Sequence, residues 1–200
     1  NGPVTIEYAL ENSLNIPAVK ALNMLGKEKM IQQLGAMGFQ QIVSKQKGLG
    51  LSMILGGCGT TLEQLTAMYS CFANEGVYYR HSFIQTDNKK QGKRIMSAEA
   101  AYMVTDILSR INRPDFPLHW EATAHLPKIA WKTGTSYGRR DAWSIGYNKK
   151  YTVGVWVGNF SGEGNAQLSG AHTATPLLFR IINTLDYDAD RSWFTPPASM

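Results

Sequence analysis

The chain is poor in cysteine and has no long apolar run, and each shortage excludes a class of protein. Its 200 residues include two cysteines, Cys58 and Cys71, which is too few for a scaffold held by many disulfides. Cys58 lies among glycines and Cys71 in an apolar helical pattern, so both are predicted to be buried free thiols. No apolar run approaches the roughly 18 residues needed to cross a bilayer. What remains is a globular domain with a core of its own.

Neither the charged residues nor the histidines form a recognisable binding motif. The 20 Lys and Arg against 15 Asp and Glu give a formal net charge of +5, but the basic residues are scattered, which favours a solvated surface over nucleic-acid binding. The four histidines show no ligand spacing with Cys, Asp or Glu, so we expect no metal and no cofactor. A phosphate loop around Gly162 and Gly164 is disfavoured, because no Gly-Lys-Ser/Thr follows and the next helix starts with Pro176.

Hydrophobic periodicity predicts helices first and last around a mainly antiparallel sheet, in one domain. This order of elements is typical of an α+β fold. A strand at residues 126–131 is extended by residues 132–135, and two further strands follow at 141–147 and 151–160. Helices are predicted at residues 5–25, 27–37, 61–74 and 177–185, and a further helix is capped by Ser97 and ends before Pro114. The first of these has a joint at Pro17. The helix at 61–74 starts with a capping box from Thr61 or Thr60. A glycine-punctuated connection at 48–60, a strand at 78–86, a brief return strand at Ile95 and a flexible loop at 161–170 complete the prediction.

The stretch Lys132-Thr133-Gly134-Thr135-Ser136 carries the clearest chemistry. It follows an apolar strand pattern and precedes two more strands, so it lies on a sheet. A cation, hydroxyl groups and a backbone unit without a side chain together form a receptor for a carboxylate and a developing oxyanion. Taken alone, the string is equally compatible with a polar strand end that runs into a turn.

A second string, Ser13-Leu14-Asn15, stands where a helical pattern is interrupted before Ile16-Pro17. Considered by itself, it is explained by Ser13 or Asn15 capping the next helix, with Pro17 in the first turn. Together with the Lys-Thr-Gly string more than a hundred residues later, it resembles two of the three elements of the acyl-serine enzymes that process D-alanyl peptides.

The chain resembles the class A penicillin-binding proteins. The segment Ala-Leu-Glu-Asn-Ser-Leu-Asn-Ile-Pro-Ala-Val around Ser13 is similar to their Ser-x-Asn segment, and Lys-Thr-Gly-Thr-Ser-Tyr-Gly-Arg-Arg-Asp-Ala-Trp from Lys132 looks most like the penicillin-binding protein 1C branch. The resemblance runs in the right order over nearly the whole chain. It implies the penicillin-binding transpeptidase fold and identifies residues 1–200 as part of such a domain, with its N-terminal part missing.

The resemblance implies a peptidoglycan D,D-transpeptidase that cross-links D-Ala-D-Ala stem peptides through an acyl-serine and binds β-lactams. The family places its nucleophilic Ser-x-x-Lys before Ser-x-Asn. We therefore expect no Ser-x-x-Lys in these residues and place that segment, a glycosyltransferase domain and a membrane anchor before Asn1. The implied location is the periplasmic, extracytoplasmic side of the membrane, and the isolated chain is expected to be inactive. A non-catalytic module that binds peptidoglycan or a partner protein is the alternative.

The resemblance assigns catalytic roles to four residues. Lys132 supplies positive charge and hydrogen-bonds Ser13, and Ser13 passes a proton to the leaving D-alanine nitrogen. Asn15 holds the acyl amide. The backbone N–H of Thr135 is one of the two oxyanion donors.

Substrate binding is assigned to residues 133–136. The hydroxyls of Thr133 and Thr135 bind the terminal carboxylate, with charge-assisted hydrogen bonds worth roughly 1.5 to 3 kcal/mol each. Gly134 lets the peptide lie against the strand as an added strand. Ser136 completes the segment.

Overall fold

The computed structural model describes residues 2–84, 91–113, 126–187 and 192–200, and it shows the predicted α+β architecture. The helices are α1 (Ile6–Glu11), α2 (Asn15–Leu25), α3 (Lys27–Ala36), α4 (Gln40–Ser44), α5 (Leu62–Ala73), α6 (Ala98–Ser109) and α7 (Thr175–Leu185). The strands are β1 (Val77–Tyr78), β2 (Lys93–Arg94), β3 (Ala130–Thr135), β4 (Asp141–Tyr147) and β5 (Thr152–Gly158). Short 3₁₀ helices cover Gln46–Gly48 and Leu51–Leu55, and a π-helical turn covers Gly170–Ala174.

Strands β3, β4 and β5 form an antiparallel sheet in that order, with β3 at an edge within the described residues. The register places Gly134 opposite Trp143 and Trp143 opposite Trp156. Asn148 closes the β4–β5 hairpin, because its side-chain oxygen accepts the backbone N–H groups of Lys150 and Tyr151, each at 2.9 Å. The predicted series of three antiparallel strands is confirmed.

Helices cover both faces of this sheet. On one face, Trp131 packs edge-on against Phe179 of α7, with ring centroids 5.0 Å apart. On the other face, Tyr147 is fully buried against Phe72 of α5, and its hydroxyl lies 2.9 Å from the Thr105 hydroxyl of α6. The sheet is thereby fixed between α7 and the α5–α6 pair.

Helix α5 begins as the sequence predicts. The Thr61 hydroxyl accepts the Gln64 N–H at 3.1 Å while the Gln64 side chain accepts the Thr61 N–H at 3.3 Å, which is a capping box. The helix then runs against β5 at Gly154, where a Cβ would lie 2.1 Å from the Thr66 hydroxyl. The prediction that a glycine inside these strands marks a close approach is confirmed at Gly154.

Several predicted boundaries are wrong. The first helical pattern breaks at residues 12–14 rather than at Pro17, which lies in the first turn of α2, where its missing N–H costs nothing. In place of the strand predicted at 78–86, the structure has the two-residue strand β1, which pairs with β2 instead of Ile95. Residues 85–90 of the predicted strand and turn lie outside the described residues. Cys71 is buried as predicted, but Cys58 is only half-buried.

Smaller differences concern helical turns. The glycine-punctuated connection contains the 3₁₀ helix Leu51–Leu55, and the loop predicted at 161–170 leads directly into the π-helical turn. Strand β3 begins at Ala130, so residues 126–129 precede it without strand pairing. Within the described ranges, no helix is long and apolar enough to cross a membrane.

Candidate active site

Ser13 occupies a backbone position that usually belongs to glycine. Helix α1 ends in a Schellman-type turn, in which the Leu14 N–H donates to Ala9 O at 2.9 Å and the Ser13 N–H donates to Leu10 O at 3.2 Å. Ser13 has a φ of 53°, in the left-handed region. This turn points the chain into α2 and leaves Ser13 exposed at the junction.

The structure does not support helix capping as the explanation for the Ser-x-Asn string. The N-cap residue of α2 is Leu14, and no side chain accepts a hydrogen bond at that helix start. The Ser13 hydroxyl is instead a hydrogen-bond partner of Lys132, whose Nζ donates to Ser13 Oγ across a separation of 119 residues. The two strings singled out in the sequence therefore meet in space.

Lys132 projects from β3 into a half-buried environment. Its Nζ also donates to Thr133 O at 3.2 Å. Burial lowers the pKa of the Lys132 amino group below the usual range of lysine, because desolvation disfavours the charged form. The ammonium thus faces a hydroxyl and a carbonyl while retaining capacity for an anion.

Strand alternation divides the Lys-Thr-Gly-Thr residues between the two faces of the sheet. Lys132 faces the α1–α2 junction, whereas Thr135 faces the π-helical turn, where its Oγ1 accepts the Gly170 N–H at 3.0 Å. A Cβ on Gly170 would lie 3.0 Å from the Cβ of Thr133, which places Thr133 on the same face as Thr135. Only a ligand at the strand edge can contact both the cation and the hydroxyls.

The free edge of β3 presents backbone groups of Thr133 and Thr135. The Ser136 N–H donates to Asp141 O at 3.0 Å and so points toward β4. Successive residues of an antiparallel strand direct their N–H groups to opposite sides. The Thr135 N–H therefore points to the open edge and is free to meet a ligand there, as the prediction of an oxyanion donor requires.

A side chain at position 134 would meet no close neighbour. A Cβ built there would lie 3.6 Å from the Cβ of Trp143, an ordinary contact, so packing alone does not require a glycine. Ser136 is used by the fold: its Oγ accepts the Asp141 N–H at 2.9 Å and shapes the β3–β4 turn.

Asn15 is the first residue of α2 and its side chain is exposed. Among the described residues, no hydrogen bond joins it to Ser13 or Lys132. The structure thus joins Ser13 to Lys132 directly and places Asn15 two positions further along the same junction.

The expectation that the chain contains no Ser-x-x-Lys string is wrong, since Ser44 and Lys47 have that spacing. Ser44 is the last residue of α4, and its hydroxyl donates to Gln41 O at 3.0 Å. Lys47 lies in the following 3₁₀ helix, and both side chains are exposed. This string follows Ser13 in the chain instead of preceding it, and no contact within the described residues links it to Lys132.

Gly170 is a neighbour of the site that the sequence does not indicate. Gly, Ser and Asn dominate residues 161–170, and this composition predicts a flexible loop that ends at residue 170. In the structure, the Thr175 hydroxyl of α7 donates to Gly170 O at 2.8 Å and anchors the turn beneath β3.

Comparison with protein families gives one extended match. A sequence model described as the penicillin-binding protein transpeptidase domain matches residues 1–182. Penicillin-binding protein 1C of Escherichia coli K12 is 36% identical over 92% of this chain and 24% of its own length. Penicillin-binding protein 1A/1B of Bacillus subtilis 168 is 27% identical over 92% of the chain and 23% of its own. The chain spans about a quarter of the length of these curated relatives.

Solved structures show the same fold at lower identity. Penicillin-binding protein 1A from Haemophilus influenzae superimposes with a TM-score of 0.80 at 20% identity, covering 98% of this chain and 36% of that one. The PonA1 protein from Mycobacterium tuberculosis, solved in complex with penicillin V, gives a TM-score of 0.76 at 20% identity over 98% of this chain and 61% of that one.

Proposed function

The chain belongs to the penicillin-binding protein transpeptidase family, and from this premise we propose that it forms part of a serine D,D-transpeptidase that cross-links D-Ala-D-Ala stem peptides of peptidoglycan. The parent enzyme is also the target that β-lactams acylate. Residues 1–200 supply the proton-relay and substrate-binding part of the domain. By likeness to its family, we propose that the parent protein also carries the nucleophilic serine, a glycosyltransferase domain and a membrane anchor, and that it works on the extracytoplasmic side.

The hydrogen bond between Lys132 and Ser13 carries this proposal. An ammonium beside a hydroxyl stabilises the oxygen when its proton moves, so the pair is suited to deliver a proton to a leaving nitrogen. A polar strand end or a helix cap alone would not bring these two side chains together. The same ammonium lies at the edge where a terminal carboxylate would be held.

The reaction proceeds in two halves. The serine oxygen attacks the carbonyl carbon of the penultimate D-alanine while its proton passes to the lysine of the Ser-x-x-Lys segment, and the Thr135 N–H stabilises the resulting oxyanion as one of two donors. When the C–N bond breaks, Ser13 gives its proton to the leaving D-alanine nitrogen and takes a proton back from that lysine. An acceptor amine then attacks the acyl ester and gives up a proton, the C–O bond breaks, and the serine oxygen receives that proton. Thr133 and Thr135 hold the terminal carboxylate of the donor, and Asn15 holds its amide.

The test is labelling by fluorescent penicillin. We expect the full-length protein to form a stable adduct, and Lys132→Ala to reduce its acylation rate by at least about 100-fold, the scale of one lost stabilising group. Lys149→Ala removes an exposed lysine from the β4–β5 hairpin and serves as the matched control. Equal rates for the two variants would remove Lys132 from the site.

Residues 1–200 alone are expected to remain unlabelled, because half of an oxyanion hole without the nucleophile gives no measurable turnover. A stable adduct on this chain, for example at Ser44, would overturn that expectation. A full-length protein that binds stem peptides but is never acylated would favour the non-catalytic module.

A further inference from the structure

A cleft of about 480 Å³ opens beside the candidate active site, at the ends of β4 and β5. Three aromatic side chains line it, from Trp143, Trp156 and Phe160, together with polar groups of Asp141 and Asn159. The reaction as proposed above uses none of these five side chains. A mostly apolar cleft with a few polar groups at its rim is typical of small-ligand sites.

The aromatic side chains form a row. The ring centroids of Trp143 and Trp156 lie 6.3 Å apart, and those of Trp156 and Phe160 lie 5.6 Å apart. The Trp156 indole is held in place, because its Nε1 donates to Asp141 Oδ1 at 2.9 Å. Phe160 is fully exposed, so its ring is available to a ligand.

The cleft lies on the same sheet face as Lys132. Trp143 is opposite Gly134, and its Cβ is 3.6 Å from the position of a Gly134 Cβ, so the indole borders the substrate strand. The cleft is also at the end of the sheet where β3 leaves for the β4 turn, since Thr135 pairs with Ala142. The face of β3 that carries Lys132 is thus continuous with the cleft.

The stem peptide has one open direction along β3. With its terminal carboxylate near Lys132, it could run toward Ala130, but Ala130 and Trp131 are 0% and 4% exposed and α6 packs there. Toward the turn, Thr135 and Tyr137 are exposed. The stem therefore leaves the site at the end of the sheet that carries the cleft.

We propose that the aromatic cleft binds a sugar ring of the glycan strand to which the stem peptide is attached. This inference rests on the proposed function, because it extends the path of the same substrate. The axial C–H groups of a pyranose form an apolar face that stacks on aromatic rings, and its hydroxyls suit the carboxylate of Asp141 and the amide of Asn159.

The dimensions set one requirement on this path. The peptide lies one strand spacing outside β3, so two spacings, about 10 Å, separate it from Trp143 in β4, the nearest ring of the row. Four stem residues in an extended conformation span about 13 Å. The stem therefore reaches the Trp143 end of the cleft when it turns across the end of the sheet beyond Thr135.

An ammonium group of the stem is the competing occupant, because aromatic rings and a carboxylate also bind cations. The lining favours the neutral sugar. Asp141 is the one carboxylate among the lining residues that the structure describes, and its Oδ1 already accepts the Trp156 N–H.

The test measures binding of a β-1,4-linked N-acetylglucosamine tetramer to the full-length protein by calorimetry. Phe160→Ala should weaken the affinity roughly three- to tenfold, as expected for loss of one stacking ring. Phe83→Ala removes another exposed phenylalanine, 88% exposed and outside the cleft, and should leave the affinity unchanged. Equal affinity in all three proteins would mean that the sugar binds elsewhere and would overturn the proposal.

Two further measurements separate the possible failures. Cadaverine, a diamine probe, should not bind the cleft, and binding that is lost in Asp141→Asn would assign the cleft to a cation instead. Penicillin labelling is run on the same preparation. If penicillin labels the protein but Phe160→Ala does not change the tetramer affinity, the glycan site is contradicted and the transpeptidase proposal stands. If penicillin does not label the protein but Phe160→Ala weakens tetramer binding as expected, the glycan site is supported and the transpeptidase proposal fails.

Discussion

At the scale of single residues, Ser13 is held in a conformation that its own side chain disfavours. A left-handed residue with a Cβ costs roughly 1 to 2 kcal/mol, and glycine is the usual solution at this position of a helix end. Ser13 has a φ of 53° and donates nothing to the turn from its side chain, which faces Lys132 instead. A hydroxyl retained at such a cost is expected to serve chemistry rather than folding.

Ser13→Gly should therefore separate stability from activity. We expect the free energy of unfolding to stay equal or rise by up to about 1 kcal/mol, because the backbone strain is relieved, while penicillin acylation of the full-length protein falls sharply. Urea unfolding and labelling kinetics check the two effects. Glu75→Gly, at a φ of 52° after α5, is the matched control and should change stability in the same direction without slowing acylation. A large loss of stability in Ser13→Gly would assign the serine to the fold.

Lys132 leads to a prediction on pH dependence. Burial lowers the pKa of its amino group, so its positive charge, which we propose attracts the substrate carboxylate, is lost at a lower pH than in free lysine, whose pKa is about 10.4. Acylation should decline on the alkaline side below that value. In Lys132→Arg the guanidinium stays charged, so the decline should move to higher pH even if the rate is lower at neutral pH. An alkaline decline at the same pH in both proteins would show that another group titrates.

One residue-scale prediction from sequence is confirmed, since Lys132 does hydrogen-bond Ser13. The catalytic and substrate-binding roles that the resemblance assigns to residues 13, 15 and 132–136 stay predictions. The conformation of Ser13 was not predictable, because glycine and asparagine are the sequence signals for a left-handed residue. Pro17 was misleading, since proline is tolerated in a first helical turn as well as at a joint.

At the scale of elements, two glycines near β3 have opposite structural requirements. A Cβ on Gly134 meets only Trp143 at 3.6 Å, whereas a Cβ on Gly170 would lie 2.6 Å from Gly134 O and 2.7 Å from Trp143 O. Gly170 also donates its N–H to the Thr135 hydroxyl, so the π-helical turn packs against one face of β3.

The two alanine variants should consequently differ. Gly134→Ala is expected to leave the free energy of unfolding within about 1 kcal/mol of the parent but to slow acylation, because the methyl group occupies the space for substrate. Gly170→Ala should lower the free energy of unfolding by about 1 to 3 kcal/mol, since it overpacks against two strand carbonyls. Urea unfolding compares them directly. Equal stabilities would contradict the tight packing of the turn, and unchanged acylation in Gly134→Ala would contradict the substrate path.

Long elements were predictable and short ones were not. Strands β4 and β5 follow from their aromatic and β-branched residues, and α5 follows from its capping box and apolar stripe. The turn Gly170–Ala174 has a loop-like composition, and besides its N-cap Ser169 it depends on partners from α7 and β3, Thr175 and Thr135. Tertiary contacts of this kind leave no local signal.

At the scale of the whole molecule, the site depends on how the N-terminal helices are held against the sheet. Glu7 of α1 forms an ion pair with Arg110, which follows α6 and also pairs with Asp106. Helix α6 in turn packs on β3, the strand that carries Lys132. This chain of contacts brings together two segments that are 119 residues apart in sequence, and periodicity alone does not predict such docking.

The central claim is that Ser13 and Lys132 act as one unit, and a double-mutant cycle on the acylation rate of the full-length protein tests it most directly. The variants are Ser13→Ala, Lys132→Ala and the double substitution, each assayed with fluorescent penicillin. We predict that the double variant is about as slow as the slower single variant, which corresponds to a coupling energy of at least about 1 kcal/mol. Single effects that simply multiply in the double variant would contradict the claim.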